Sequence, residues 1–218
     1  ASGRARFVNV EHKPTAEETS DAYPFSLVSG RLRDQWHGMS RTGMVARLFN
    51  LDEAPEISMH PSDMRHRGLE ANDLVQVRNT RGTIIVRVKE SEGLSRGRAW
   101  MPMHWGSQFM GSAGVNTLTI SATDPYSQQP ELKHAAVAIE KADLPWQLVI
   151  LRKAGEGRLD SLALLDTARA LLPGFDYASV GLYGRAEPLV IFRAARREAL
   201  TEDRLREIDG LFGLDAIE

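Results

Sequence analysis

The sequence predicts a mainly β fold: a small closed or nearly closed barrel followed by a small α+β unit. Three observations carry that expectation. Seven short runs, β-branched or alternating and broken by Gly, Pro, Asp and Asn, fill residues 23–141. A single short helical signal interrupts them, which suits a barrel better than a layered α/β fold. Beyond Leu144–Pro145 the composition shifts, and the order becomes strand, helix, strand, strand, helix.

Residues 1–22 are polar and carry Pro14, so they read as an extended lead-in. They have neither an initiator Met nor an apolar signal core, and the chain is expected to begin inside a longer protein. The barrel, placed at 23–143, opens with YPFSLV and continues with EISMH. PSDMRHRG then reads as one helical turn, with Pro61 at its start and Gly68 as its stop. DLVQVRN and TIIVRVK form a hairpin across TRG, where Gly82 is expected to supply a positive φ. RAWMPM, TLTIS and HAAVAIE complete the set of strands.

Residues 144–218 form the second unit. WQLVILR is a strand, and RLDSLALLDTARALLPG is a helix whose Leu159, Leu162, Leu165 and Leu172 recur at helical spacing before Pro173–Gly174 end it. DYASVGLY and PLVIFR are strands. TEDRLREIDGLFG is an amphipathic helix with Thr201 as N-cap, acids in the first turn, and Leu205, Ile208 and Phe212 facing inward. Helices on one face of a sheet are the expected arrangement.

Composition excludes several functions. At 218 residues and 42% hydrophobic, the chain can bury a core as one or two domains. A net charge of −2 with interleaved signs recommends neither nucleic acid nor a membrane surface as partner. No apolar run approaches the ~18 residues that span a bilayer. The absence of Cys rules out disulfides, zinc-thiolate sites, iron–sulfur clusters and a thiol nucleophile in this segment, and fits a reducing compartment. The six His lack metal-ligand spacing, no Ser sits in a nucleophile elbow, and no phosphate-binding Gly-rich loop feeds a helix. No catalytic residue and no metal ligand is assigned.

SGRLRDQWHGMSRTG, residues 29–43, is too polar for a core and too rich in donors for an ordinary turn. Arg31 and Arg41 offer planar forks suited to phosphate oxygens. Gly30 lets backbone approach an anion, and Ser29, Ser40 and Thr42 add hydroxyls. Trp36 and His37 give flat surfaces for a heterocycle. A diphosphate bearing ring systems suits all of these together, while a solvated loop with Trp36 tucked beneath it is the competing account. Further on, Asn116 in GVNTLT can donate and accept at once, as the edge of a guanine or pterin requires, and Lys133 is a point charge for phosphate or ring oxygen.

In order, SGRLRDQWHGMSRTG, HPSDMRHRGLEANDLVQVRNTRG, WMPMHW and VNTLT…DPYSQQPELKHAAVAIE resemble the C-terminal molybdopterin dinucleotide-binding domain of the dimethyl-sulfoxide-reductase superfamily. The four motifs cover roughly residues 23–141. QWHGMSRTG and PMHW most resemble the assimilatory nitrate reductases, and formate dehydrogenases share much of the same text. The resemblance implies a double-psi β-barrel and a bis(molybdopterin guanine dinucleotide) cofactor with molybdenum, shared with other domains of one chain. It implies cofactor contacts at Ser29, Gly30, Arg31, Trp36, His37, Met39, Ser40, Arg41, Asn116 and Lys133, and a place near substrate for Met103, with His104 beside it.

Further implications are an iron–sulfur cluster elsewhere in the parent chain, an electron-donor protein or reductase subunit as partner, and a cytoplasmic nitrate-to-nitrite reaction of which this piece alone is incapable. Two departures stand out: Gly38 where relatives often carry Thr, and a longer GSQFMGSAG between PMHW and VN. The tail is read as core-facing helices, a spacer or a docking surface. The alternatives are a formate-dehydrogenase-like fragment and a stand-alone double-psi binding module.

Overall fold

Alternation in the sequence becomes alternation in burial. In TIIVRVKE every second side chain, Ile84, Val86 and Val88, is at most 1% exposed, while their neighbours face outward. The computed structural model describes residues 3–7, 9, 11–49, 54–153, 158–184 and 187–213. Its first six strands are β1 (Phe25–Gly30), β2 (Glu56–Met59), β3 (Leu74–Arg78), β4 (Thr83–Glu90), β5 (Arg98–Pro102) and β6 (Ala135–Lys141). They close in the order β1-β5-β2-β4-β3-β6, with β6 returning to β1.

Two pairs are parallel, β1 with β5 (Leu27 opposite Ala99) and β2 with β4 (Ile57 opposite Val88). Parallel neighbours cannot be joined by a tight hairpin, so the chain crosses the barrel twice. This is the closed mixed barrel that the sequence led us to expect. Its interior is filled by Leu27, Ile57, Val75, Val77, Met101, Val137 and Ile139, each at most 2% exposed. Between β2 and β3 runs α1 (Pro61–His66), with Pro61 in its first turn; the Ser62 N–H donates to His60 Nδ1 at 3.1 Å. Gly68 ends that region with φ +62°, the left-handed conformation expected of a stop.

Two expectations for the barrel fail. TLTIS is not a strand: residues 115–118 make a 3-10 turn, and the Thr119 N–H bonds back to the Asn116 carbonyl at 3.3 Å. The Leu118 carbonyl is taken by the side chains of Asn79 and Arg81, so no neighbouring strand can use it. Gly82 does not adopt a positive φ. Instead, the Asn79 side chain closes the turn by accepting from the Arg81 and Gly82 N–H groups, and a Cβ on Gly82 would lie 2.5 Å from Thr117 Cγ2. Glycine is needed there for close approach.

The second unit comprises β7 (Trp146–Lys153), α2 (Arg158–Leu171), β8 (Tyr177–Tyr183), β9 (Leu189–Arg196) and α3 (Glu202–Phe212). Its antiparallel sheet runs β7-β9-β8, and the helices cover one face, where the Phe192 and Phe212 rings lie 6.2 Å apart. Thr201 caps α3 by accepting from the Arg204 N–H, and Ile208 and Phe212 point inward as expected, with Leu205 half-buried. Leu165 and Leu172 are buried; the Leu159 side chain lies outside the described residues.

The outer edge of β8 is taken up by the barrel's own 106–114 loop. The Val180 N–H donates to the Phe109 carbonyl and the Gly111 N–H to the Ala178 carbonyl, each at 2.9 Å. Phe109 is 0% exposed, and full burial of such a ring contributes about 2–3 kcal/mol. One continuous apolar core therefore runs from the barrel into the second sheet. Among the described residues no helix is long and apolar enough to cross a membrane.

Candidate functional site

Where β1 ends, two segments far apart in sequence are joined. The Ser29 hydroxyl donates to the Leu132 carbonyl at 2.5 Å, and the Lys133 ammonium donates to the Ser29 carbonyl at 3.1 Å. Ser29 is buried, and its hydroxyl fastens β1 to the segment that leads into β6. Gly30 continues the strand, its carbonyl accepting from the Met103 N–H at 2.8 Å. A Cβ on Gly30 would strike the Trp100 indole, which gives this glycine a packing reason besides any approach to an anion.

The chain then leaves the barrel under the control of His104. This imidazole is 1% exposed, its Nε2 accepts from the Leu32 N–H at 2.8 Å, and its Nδ1 lies 2.6 Å from the His37 carbonyl. An amide N–H can only donate, so Nε2 is the acceptor and the proton sits on Nδ1, pointing at the His37 oxygen. Burial lowers the pKa of the ring; the His37 carbonyl opposes this, and the nearby Arg31 charge adds to the lowering. Both nitrogens are committed to backbone. The residue that the sequence placed beside substrate holds the loop. Met103, before it, is half-buried against the core.

Within the loop, Gln35 is the inner fastener: its amide donates to the Leu48 carbonyl at 2.9 Å and its oxygen accepts from the Thr42 hydroxyl at 2.7 Å. His37 (φ 45°) and Met39 (φ 60°) take left-handed conformations that cost a non-glycine residue about 1 kcal/mol or more each. That contortion buries the Met39 side chain completely and turns Trp36, 59% exposed, outward with the His37 ring edge-on at 4.6 Å. Trp36, Ser40, Arg41 and Thr42 line an open depression of about 530 Å³. Met39 can therefore reach a ligand there only through its backbone. Gly38 has no positive φ, and nothing lies within 4 Å of where its Cβ would stand.

Asn116 is exposed on the 3-10 turn at 115–118. The preceding Gly114 has φ +85°, and a Cβ there would strike the Trp105 carbonyl oxygen. Among the described residues no hydrogen bond joins the Asn116 side chain to the Ser29–Lys133 pair. What fixes this turn is a pairing that the motifs do not reveal, since one partner, Glu17, lies outside them. The Arg81 guanidinium makes two 2.7 Å bonds to the Glu17 carboxylate and also donates to the Leu118 carbonyl. Glu17 Oε2 in turn accepts from the Ala136 N–H at 2.8 Å, and His134 Nε2 lies 2.9 Å from the Glu17 carbonyl. Hydrogen bonding from Arg81 holds the Glu17 carboxyl below its usual range against the opposing effect of burial. Arg81 lay in a motif stretch but was given no role beyond the hairpin turn, and Glu17 lay in the lead-in; no local pattern links residues so far apart.

The electrostatics of the site are one-sided. Arg33 pairs with Asp34, Arg78 with Glu140 and Arg81 with Glu17. Among the described residues Arg31, Arg41 and Lys133 have no carboxylate partner, and no cluster of His, Cys, Asp or Glu could hold a metal ion. Nearby, the indole N–H of the buried Trp105 has no acceptor. A surface of surplus donors and unpaired cations suits an anionic ligand rich in acceptor oxygens, as a dinucleotide diphosphate is.

Several known proteins are similar to this chain. A nitrate reductase of Klebsiella oxytoca is 42% identical over 137 residues, covering 63% of this chain and 16% of that protein. A nitrate reductase of a Synechocystis species is 38% identical over 138 residues, covering 63% of this chain and 19% of that protein. A formate dehydrogenase subunit alpha of Methanocaldococcus jannaschii is 33% identical over 140 residues, covering 64% of this chain and 20% of that protein. The acetylene hydratase structure from Pelobacter acetylenicus matches with a TM-score of 0.46 at 16% identity, over 55% of this chain and 18% of that chain. The aligned region thus spans at most a fifth of each curated relative. Residues 25–136, half of the chain, match the Molydopterin dinucleotide binding domain, and the chain belongs to that family.

Proposed function

We propose that this chain grips and orients the dinucleotide end of a bis(molybdopterin guanine dinucleotide) cofactor within a larger molybdenum oxidoreductase that reduces nitrate to nitrite. The observation that carries the reading is the bond from Lys133 to the Ser29 carbonyl, which sets one cation without a carboxylate partner against the strand end two residues before another, Arg31. Arg31, Lys133 and Arg41 would neutralise the diphosphate, and the Ser40 hydroxyl would satisfy one of its oxygens. Trp36 and His37 offer ring faces, Asn116 a guanine-edge partner, and Gly30 and Met39 backbone. Met103 would border the substrate path from a strand end that His104 keeps in place. When bound, the molybdenum centre would supply two electrons and take the oxygen atom that nitrate loses on becoming nitrite, that oxygen leaving as water with two protons from solvent.

The remaining parts of that enzyme would be N-terminal domains of the same chain, an iron–sulfur cluster held there, and an electron-donor protein, with the cytoplasm as the site of work. In the full-length enzyme, Arg31→Gln with Asn116→Ala is expected to cut bound molybdenum and releasable GMP by about tenfold, since both a charged and a neutral contact are lost. Unchanged content of both would sink the reading. The formate dehydrogenase relative supports a second substrate assignment. Nitrate-dependent oxidation of reduced viologen, set against formate-dependent dye reduction, separates the two.

A further inference from the structure

The family match ends at residue 136, and nothing in it accounts for residues 144–218. The segment 103–114 lies between that unit and the candidate site and touches both. At its start, His104 holds Leu32 and His37. In its middle, the Phe109 ring lies where a side chain on Gly43 would otherwise stand and packs against Phe49 at 6.1 Å. Its far side belongs to the second unit: Phe109 and Gly111 pair with β8, and the Arg169 guanidinium of α2 lies 4.7 Å over the Phe109 ring while Nε donates to the Gln108 carbonyl at 3.0 Å. β8 also lies directly against the two 3-10 turns at 42–44 and 46–48, which follow Arg41.

We propose that the β7–α2–β8–β9–α3 unit is a brace: it holds segment 103–114 by the antiparallel bridge of Met110 with Ser179 on the β8 edge, and through Phe109 and Gly43 it keeps the 29–48 segment in its ligand-holding shape. The proposal rests on the reading of 29–43 as a cofactor wall. It also explains the length of GSQFMGSAG, whose central residues Phe109–Gly111 supply the bridge to the β8 edge. The 29–48 loop carries two left-handed non-glycine residues and is tied internally by Gln35; its apolar floor is Phe109, which the second unit holds from the other side.

The test uses the full-length protein and two readouts, amide hydrogen exchange and the rate of GMP-dinucleotide release. Arg169→Leu removes the Gln108 bond and the cation over Phe109, whereas Arg169→Lys keeps a cation able to reach the carbonyl. Phe212→Leu loosens the same unit away from the segment and serves as the control for general destabilisation. Arg169→Leu is expected to speed exchange in residues 36–48 and 104–112 by about tenfold, with β3, β4 and β6 unchanged, and to speed release; Arg169→Lys should restore most of both. Unchanged exchange in those two stretches, equal loosening by Phe212→Leu, or faster exchange without faster release would overturn the brace. Failure of the cofactor reading itself shows elsewhere, as unchanged GMP content in the Arg31→Gln, Asn116→Ala enzyme.

Discussion

Arg81 and Arg31 are the same residue type put to opposite uses. Every nitrogen of Arg81 is bonded, to Glu17 and to the Leu118 carbonyl, in a half-buried node that welds the lead-in, the β3–β4 turn, the Asn116 turn and the start of β6. Arg31, with Arg41 and Lys133, has no acidic partner among the described residues. A saturated guanidinium builds structure; one without an acidic partner near the end of a strand is left with donors that a ligand could use. The comparison separates scaffold from site more cleanly than residue type or position in a motif does.

Breaking the saturated member should have the larger effect. Arg81→Leu would strand the Glu17 carboxylate with only the Ala136 N–H, and a loss of about 2 kcal/mol is expected for a partly buried pair. The midpoint of denaturant unfolding measures it. The sign with pH follows from the Glu17 carboxyl, whose folded pKa is lowered chiefly by Arg81. That contribution is complete above the ordinary glutamate value and disappears as pH falls through the lowered one, so the variant should show a flatter acid limb of stability. An unaltered acid slope would mean that the pair does not couple to folding.

Next comes the hinge between the two regions. The folded pKa of His104 is lowered, so the fold favours the neutral ring. Its stabilisation is complete above the unfolded histidine value of about 6.5 and drains away as pH falls below it toward the folded value. Protection of the Leu32 amide, corrected for intrinsic exchange, should therefore fall from about pH 7 to about pH 5, while Val86 in β4 keeps its protection. His104→Gln, which can still accept from Leu32 and donate to His37, should lose that pH dependence. If the Leu32 amide in the variant follows the same curve, another group controls the loop.

How much of this was legible follows from distance in sequence. The barrel strands were, because Ile84, Val86 and Val88 alternate within eight residues and report their own burial. TLTIS carried the same β-branched signature but became a turn, since its carbonyl partners came from Asn79 and Arg81, which no local period reveals. The donor-rich loop stood out by composition. The interior position of Met39 did not, because it depends on left-handed φ values that only the fold imposes. Nothing in the sequence marked His104 as a latch, because it reaches 72 positions back to Leu32 and 67 back to His37. Glu17 and Arg81, 64 apart, were invisible as a pair.

The smallest expected effect sharpens the unsaturated side. Gly38 stands between His37 and Met39, both at positive φ, yet takes no positive φ itself, and its missing Cβ would meet open space. Neither backbone strain nor crowding therefore requires glycine here. Gly38→Thr should leave stability unchanged or raise it by about 0.5 kcal/mol, because a side chain reduces the freedom of the unfolded chain. It also adds a hydroxyl to a surface of donors flanked by Trp36 and Arg41. One further neutral hydrogen bond to a bound phosphate would slow GMP-dinucleotide release by roughly threefold to tenfold in the full-length enzyme. A drop in stability beyond about 1 kcal/mol would show that the loop conformation does need glycine. Unchanged release with unchanged stability would show that this point of the loop faces solvent, and would shift the ligand toward the Ser29–Lys133 end of the wall.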